Sequence, residues 1–375
     1  MIYIPSFSAG TIGNECKKNT KIKDILPVRF YSKEYPAKYR HPYFLVTAGH
    51  NYKKLDYFEK MGFDSDCLVI GDSGGFQIAS GVLQYSKDLV SDIFTWLENN
   101  STVALNLDIP PRLTLEGKFN ECLELSKGNF KYFADNQTGK TKFLNVIQGM
   151  NAHEYSKWYN EVKDFDFSGW GIGGGAKSIN RLMVAIAVLI DGNEHKKPNN
   201  EYIHVLGATR ITHFMILQQL QTVLKKFGSN ITVTVDSSTP SLGVVYGFYY
   251  VGFDILKETF QMIKLPKIRG EEMPKLQFIK ACNFDNVLEK VMPFEEILKF
   301  ETIGYNVAIL HNFHFFLDVI ETVKAIISNQ DTIPLEDSLN SRTLKCLNSI
   351  KEMLEAKEDG RSALEVYNKY QHVYI

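Results

Sequence analysis

From residue 43 onward, short apolar runs alternate with longer segments of helical period. The runs are "YFLVTAG" (43–49), "CLVIGDS" (67–73), "VALNLDI" (103–109), "KFLNVIQG" (142–149), "GWGIGG" (169–174), "YIHVLGA" (202–208) and "ITVTVDS" (231–237). Several are bounded on the C-terminal side by Gly, Asp or Pro, as buried parallel strands are. Between them, "KDLVSDIFTWLENN" puts Leu89, Val90, Ile93, Phe94 and Leu97 on one helical face. In "THFMILQQLQTVLKKFG", Phe214, Leu217, Leu220, Val223, Leu224 and Phe227 do the same. Thr212 is placed to cap that helix and Gly228 to end it.

Seven β–α alternations predict parallel pairing through right-handed crossovers. A (β/α)8 barrel and a doubly wound sheet both satisfy that rule. Seven or eight units over roughly 230 to 270 residues favour the barrel. The predicted fold is therefore α/β, a (β/α)8 TIM barrel over residues 43–327, with an irregular edge over 1–42 and a helical tail over 328–375. The eighth strand has two candidates, "KLQFIKA" (275–281) and "YNVAIL" (305–310). Helical period runs through "FHFFLDVIETVKAIISN" and "SRTLKCLNSIKEMLEAKED".

The 42 Lys and Arg nearly balance the 43 Asp and Glu, for a formal charge of −1. That excludes a histone-like basic coat and leaves room for a local basic patch. Lys17, Lys18, Lys21, Lys23, Arg29, Lys33, Lys38 and Arg40 form either a solvated edge or part of a phosphate-facing rim. Cys16, Cys67, Cys122, Cys282 and Cys346 are scattered, with no C-x-C or C-x-x-C pair. A reducing compartment fits that spacing; a disulfide framework does not. No apolar run reaches the roughly 18 residues of a membrane helix. The N-terminus lacks the basic-then-apolar order of a signal peptide. A cytoplasmic protein with no membrane partner is expected.

In a barrel, the C-terminal ends of the strands carry the active site. There the sequence places Asp72, Gln77, Asp108, Gln148, Gly173, Gly174, His204, Gly207, Thr209 and Asp236. Each alone has an ordinary reading. An Asp at a strand end commonly caps the next turn. "GIGGG" (171–175) is a tight turn that does not match G-x-G-x-x-G. His204, inside an apolar strand, reads as a satisfied interior histidine. Jointly, three acids and two amides at one mouth exceed what a core requires. Two carboxylates near an anomeric carbon can exchange a glycosidic bond, one at the sugar carbon and one moving a proton. A further Asp with Gln amides can read the edge of a flat heterocycle. A metal is the rival use of the acids, but no His lies beside them at ligand spacing.

The motifs resemble those of the tRNA-guanine transglycosylase family, base-exchanging enzymes on a (β/α)8 barrel. The resemblance covers roughly residues 43 to 325 and is most specific in "DSGGFQ" (72–77). "LDIPP" (107–111), "VIQG" (146–149), "GIGGG", "VLGAT" (205–209), "VDSSTPS" (235–241) and "LHNFHFFLDVIETVKAI" (310–326) are similar to further family segments. The resemblance implies Asp236 as the nucleophile at C1′ and Asp72 as general acid/base. It implies Asp108, Gln148, Ser73, Gln77 and the Gly173–Gly174 turn around the base. Phe76 becomes an aromatic wall, and the two glycines of "DSGG" let the chain pass close beside the base. Family members often pair, so a homodimer is expected.

The sequence also departs from the family. The usual C-x-C-x-x-C and following His that hold structural zinc are reduced to Cys282, with no further Cys or His before His311. Absence of the zinc, and of any other cofactor, is expected. The arginine of the family's "PTR" is missing from Thr239–Ser241. These losses resemble the DNA-modifying branch, the DpdA type of phages and bacterial DNA-modification clusters. That implies DNA as partner and a free 7-deazaguanine such as preQ0 as incoming base. Lys264, Lys267 and Arg269 of "KLPKIRG" (264–270) would hold phosphates. Three other readings stay open: a tRNA enzyme without zinc, a non-catalytic nucleic-acid-binding partner subunit, and an unrelated barrel enzyme using Gly173–Gly175 as a phosphate turn.

Overall fold

The computed structural model describes residues 1–7, 29–111, 118–174, 177–264, 305–330 and 334–375. Eight parallel strands form a nearly closed barrel with helices between them. All seven predicted runs are strands: β2 Tyr43–Thr47, β3 Leu68–Asp72, β4 Val103–Leu105, β5 Lys142–Ile147, β6 Gly169–Ile172, β7 Tyr202–Val205 and β8 Thr232–Ser237. The eighth is β1, Ile2–Pro5, at the other end of the chain from both candidates. It pairs with β8 in the register Ile2↔Thr234 to Pro5↔Ser237. The barrel therefore begins at Ile2, not near residue 43. "YNVAIL" opens a helix, and "KLQFIKA" lies outside the described residues.

The joint between β1 and β2 has no strand ladder. It is bridged instead by His41, whose Nε2–H donates to the Tyr3 carbonyl at 2.9 Å. Burial pushes the His41 pKa down to about 4, which keeps the ring neutral. Phe7, Phe30, Phe44 and Phe313 cluster over the joint, with Phe30 and Phe313 centroids 4.5 Å apart. Just ahead of β1, Gln221 completes the ladder. Its amide donates to the Ile231 carbonyl at 2.9 Å and its oxygen accepts from Val233 N at 2.7 Å.

The main helices are α1 Lys87–Asn100, α2 Phe119–Asn136, α3 Ala152–Val162, α4 Ile179–Asp191, α5 Ile211–Lys226, α6 Thr239–Val245, α7 Tyr305–Ser328, α8 Ser341–Glu358 and α9 Ala363–Tyr374. Arg210, not Thr212, stands at the N-cap of α5; the Thr212 hydroxyl goes to Glu258. Gly228 follows α5 at φ +77°, in the left-handed region expected of a helix stop. The tail packs onto the barrel, α8 against α5 and α9 against α4. Asp191, at the end of α4, accepts from Ser362 Oγ and Ala363 N at 2.6 Å each, so its carboxylate covers the start of α9. Covered on both sides, α4 is buried from Leu182 to Ile190 without a polar face. A hairpin, β9 Phe248–Asp254 and β10 Thr259–Lys264, is tied down by Glu258 through Thr212, Asn340 and Thr343.

Basic residues Lys33, Lys38 and Arg40 run into the start of β2, the end of the barrel opposite the strand C-termini. Arg40 pairs with Asp66 through two 2.8 Å bonds, just ahead of β3. These three are not part of a rim at the mouth. Lys17, Lys18, Lys21 and Lys23 lie outside the described residues. Among the described residues, no helix is long and apolar enough to cross a membrane. Cys67, Cys122 and Cys346 are buried and in no disulfide; Cys16 and Cys282 lie outside the described residues.

The same opposite end carries a buried carboxylate. Glu194, 1 % exposed, accepts from Tyr159 Oη (2.5 Å), Trp170 Nε1 (2.8 Å), Asn200 Nδ2 (2.6 Å) and Lys197 Nζ (2.7 Å). Glu194→Ala strands these donors. It is expected to lower the unfolding free energy by about 3 kcal/mol in chemical denaturation.

Candidate active site

Parallel partners project to the same side of a sheet, so the register sorts side chains into interior and exterior. Gly171 faces inward, because a Cβ there would meet Leu105 Cδ2 at 2.3 Å. Its partner is His204, whose partner is Thr234; Asp236 follows two residues on, beside Ile4 of β1. On the other side, Val103 shares the parity of Leu105 and pairs with Ile70; Asp72 follows two residues on, paired with Thr47. Asp72 and Asp236 thus both point inward at the mouth.

Asp72 keeps partial solvent exposure. Its carboxylate accepts from Thr47 Oγ1 at 3.0 Å and from Gly74 N at 3.3 Å. Burial nevertheless raises its pKa above the ordinary carboxylate value, and the charge of Asp236 adds to the rise. Asp236 is 6 % exposed, and its Oδ1 accepts from Gly207 N at 2.7 Å. The wholly buried His204 places Nε2 3.4 Å from the same oxygen.

Asp108 and Gln148 form a second polar pair, Gln148 Nε2 donating to Asp108 Oδ2 at 2.7 Å. Burial pushes the Asp108 pKa up to about 7, with the charge of Asp72 contributing and the Gln148 bond opposing. The Gly173 amide donates to the Ile147 carbonyl, so the main contribution of Gly173 is space. A Cβ there would stand 2.0 Å from Gln148 Nε2. Gly174 turns the chain at φ +68°. Gly175 lies outside the described residues.

The "DSGG" glycines serve contacts different from those expected. Gly74, at φ +89°, packs on Gly49, and a Cβ on Gly75 would strike the Asp108 carbonyl at 2.0 Å. They let two loops of the protein meet and so set Asp108 beside the Asp72 loop. The Ser73 hydroxyl donates to the Asn106 carbonyl at 3.1 Å, and Gln77 Nε2 donates to His50 Nε2 at 3.2 Å. Both side chains are engaged in joining loops. Phe76 is 57 % exposed beside them, a free aromatic face. Thr47 was missed in the sequence. Thr47 had one available signal, its place at the end of the run preceding "DSGGFQ".

Lys264 is exposed at the end of β10; Lys267 and Arg269 lie outside the described residues. His311, the first histidine after Cys282, donates from Nε2–H to the Tyr250 carbonyl at 2.9 Å, and its ring stacks on Tyr249 at 3.9 Å. Among the described residues no group of His, Cys, Asp and Glu is arranged to hold a metal ion. Clefts of about 430 Å³ beside Tyr159 and about 410 Å³ beside Tyr39 are lined by none of the mouth carboxyls. Chemistry rather than volume picks out the mouth. No known family model matches the chain, and no curated protein matches it significantly.

Asp108 gives a pH signature. Its folded pKa is raised, so its favourable contribution is full below the unfolded value of about 3.9 and is lost as pH rises to about 7. Asp108→Asn is expected to raise stability at pH 8 by ~1–3 kcal/mol and to flatten the pH dependence of unfolding between those values. Gly75→Ala is expected to cost about 2 kcal/mol through overpacking against the Asp108 main chain. Gly128→Ala in α2, where a Cβ meets nothing within 4 Å, is the matched control and should be neutral or stabilising.

Proposed function

We propose that the protein is a base-exchange transglycosylase that replaces guanine in DNA with a 7-deazaguanine such as preQ0. The observation that carries this reading is the convergence of Asp72, Asp108, Gln148 and Asp236 on one barrel mouth. Two of these carboxyls are pushed toward the neutral form, and the third is held by a main-chain amide. That division of labour is what glycosidic exchange requires.

In this reading, a carboxylate oxygen of Asp236 bonds to C1′ as the C1′–N9 bond breaks. The electron pair leaves with the purine, and Asp72 supplies the proton that lets the base depart neutral. The incoming 7-deazaguanine returns a proton to Asp72 and attacks C1′ through N9, displacing Asp236. Two inversions restore the original configuration. One glycosidic bond replaces another, so no nucleoside triphosphate is consumed. Asp108 and Gln148 supply donors and acceptors for the purine edge, and the exposed Phe76 ring supplies a stacking face. The target base must be flipped out of a duplex, at a few kcal/mol. Lys264, with Lys267 and Arg269 after it in sequence, would meet phosphates.

The test offers labelled preQ0 with duplex DNA, single-stranded DNA and unmodified tRNA. Label is expected to enter DNA. Asp236→Ala should abolish incorporation, and Asp72→Asn should slow it by roughly 100-fold or more. Label in tRNA alone would replace the substrate and keep the mechanism. No label in any nucleic acid would overturn the reading.

A further inference from the structure

His204 is fully buried in β7 between two partners. Its Nδ1 lies 2.9 Å from Thr234 Oγ1, and its Nε2 lies 3.4 Å from Asp236 Oδ1. The other Thr234 hydroxyl contact, to the Ile203 carbonyl, is longer at 3.5 Å. The shorter contact favours the hydroxyl as donor to Nδ1. An imidazole that accepts at Nδ1 carries its hydrogen on Nε2, the buried nitrogen that lies 3.4 Å from Asp236 Oδ1 and has no hydrogen-bond partner of its own among the described residues. The opposite tautomer would set a nitrogen lone pair against the carboxylate oxygen, deep in the barrel.

The Gly207 amide donates to the same Oδ1 at 2.7 Å. One hydrogen bond, from Gly207, and one close contact, from His204 Nε2, therefore fall on the same oxygen of Asp236. Oδ2 accepts no hydrogen bond among the described residues. The two oxygens of the carboxylate are made unequal by their surroundings.

We propose that His204 is a positioning residue for Asp236: beside the Gly207 amide it faces Oδ1, fixes the plane of the carboxylate and leaves Oδ2 as the attacking oxygen. This rests on Asp236 being the nucleophile of the base exchange above. Thr234 acts one step further back by fixing the tautomer and plane of the ring. Among the described residues, the other titratable groups facing the pair are Asp72 from β3, which interacts with both, and Tyr3 from β1, which burial holds neutral.

Two measurements test it on the full chain. The first follows the Asp236 carboxyl by 13C NMR through a pH titration in the wild type and in His204→Met, His204→Gln and Thr234→Val. His204→Met removes the donor at similar volume and is expected to raise the proton affinity of Asp236 about tenfold or more. His204→Gln can return an N–H near the Nε2 position and should stay near the wild type. Thr234→Val should fall between them. The second is the exchange assay, in which His204→Met should lower kcat by roughly 10–100-fold with KM for the nucleic acid unchanged, and His204→Gln should recover most of it. An Asp236 midpoint that is the same in all four proteins would overturn the proposal. If His204→Met does not fold, the ordering of wild type, His204→Gln and Thr234→Val decides. A wild type that exchanges no base would sink the base-exchange reading, while the titration still shows whether His204 acts on Asp236.

Discussion

β8 and β3 stand five places apart along the hydrogen-bonded sheet, but three apart around the barrel once β1 reaches β2. Closure through β1 is what brings Asp236 and Asp72 within electrostatic reach of each other. In an open sheet of the same order, strand spacing of about 4.8 Å per step would leave them more than 20 Å apart. The joint that achieves closure is not a ladder. It depends on a neutral histidine, one carbonyl and a cap of aromatic rings. The site is therefore only as well defined as that joint.

The two ends of the barrel treat buried acids in opposite ways. Away from the mouth, Glu194 is surrounded by four donors that hold its carboxylate in place. At the mouth, Asp108 has one side-chain donor and Asp72 has two modest bonds, so both resist ionisation. In the proposed reading, a purine edge completes the unmet hydrogen-bonding capacity, and stability and binding draw on the same groups with opposite sign.

Most of the seven strands were legible because they are runs rich in Val, Ile, Leu or Phe halted by a polar residue or glycine; "GWGIGG" was read from its place in the alternation with helices. β1 was not legible. "IYIP" is four residues long, and its partner lies at Thr234–Ser237, so nothing local marks it as a barrel strand. "YNVAIL" erred in the other direction, since a six-residue apolar run fits a buried helix as well as a strand. α7 is in fact buried continuously from Ala308 to His314. At the site, acids and amides at strand ends were readable as residue types. What the glycines did was not, because the atoms they make room for, Gly49 and the Asp108 carbonyl, belong to other loops. Thr212 was misread for a related reason: Glu258, from a hairpin 46 residues later, takes its hydroxyl.

β1 precedes the strand it pairs with by more than two hundred residues. Contacts that span so much chain form slowly, because loop closure must be met before the pairing rewards it. Until β8 is in place, "IYIP" and the β2 edge of the sheet have no partner, and the aromatic rings that cover the joint have nothing to cover. Strands β2 to β8 can pair in chain order, whereas β1 can pair only once β8 exists. The barrel is assembled as a strip and fastened at its hem. In the unfastened strip the two inward aspartates lie far apart, so chemistry that needs both can begin only when folding is finished.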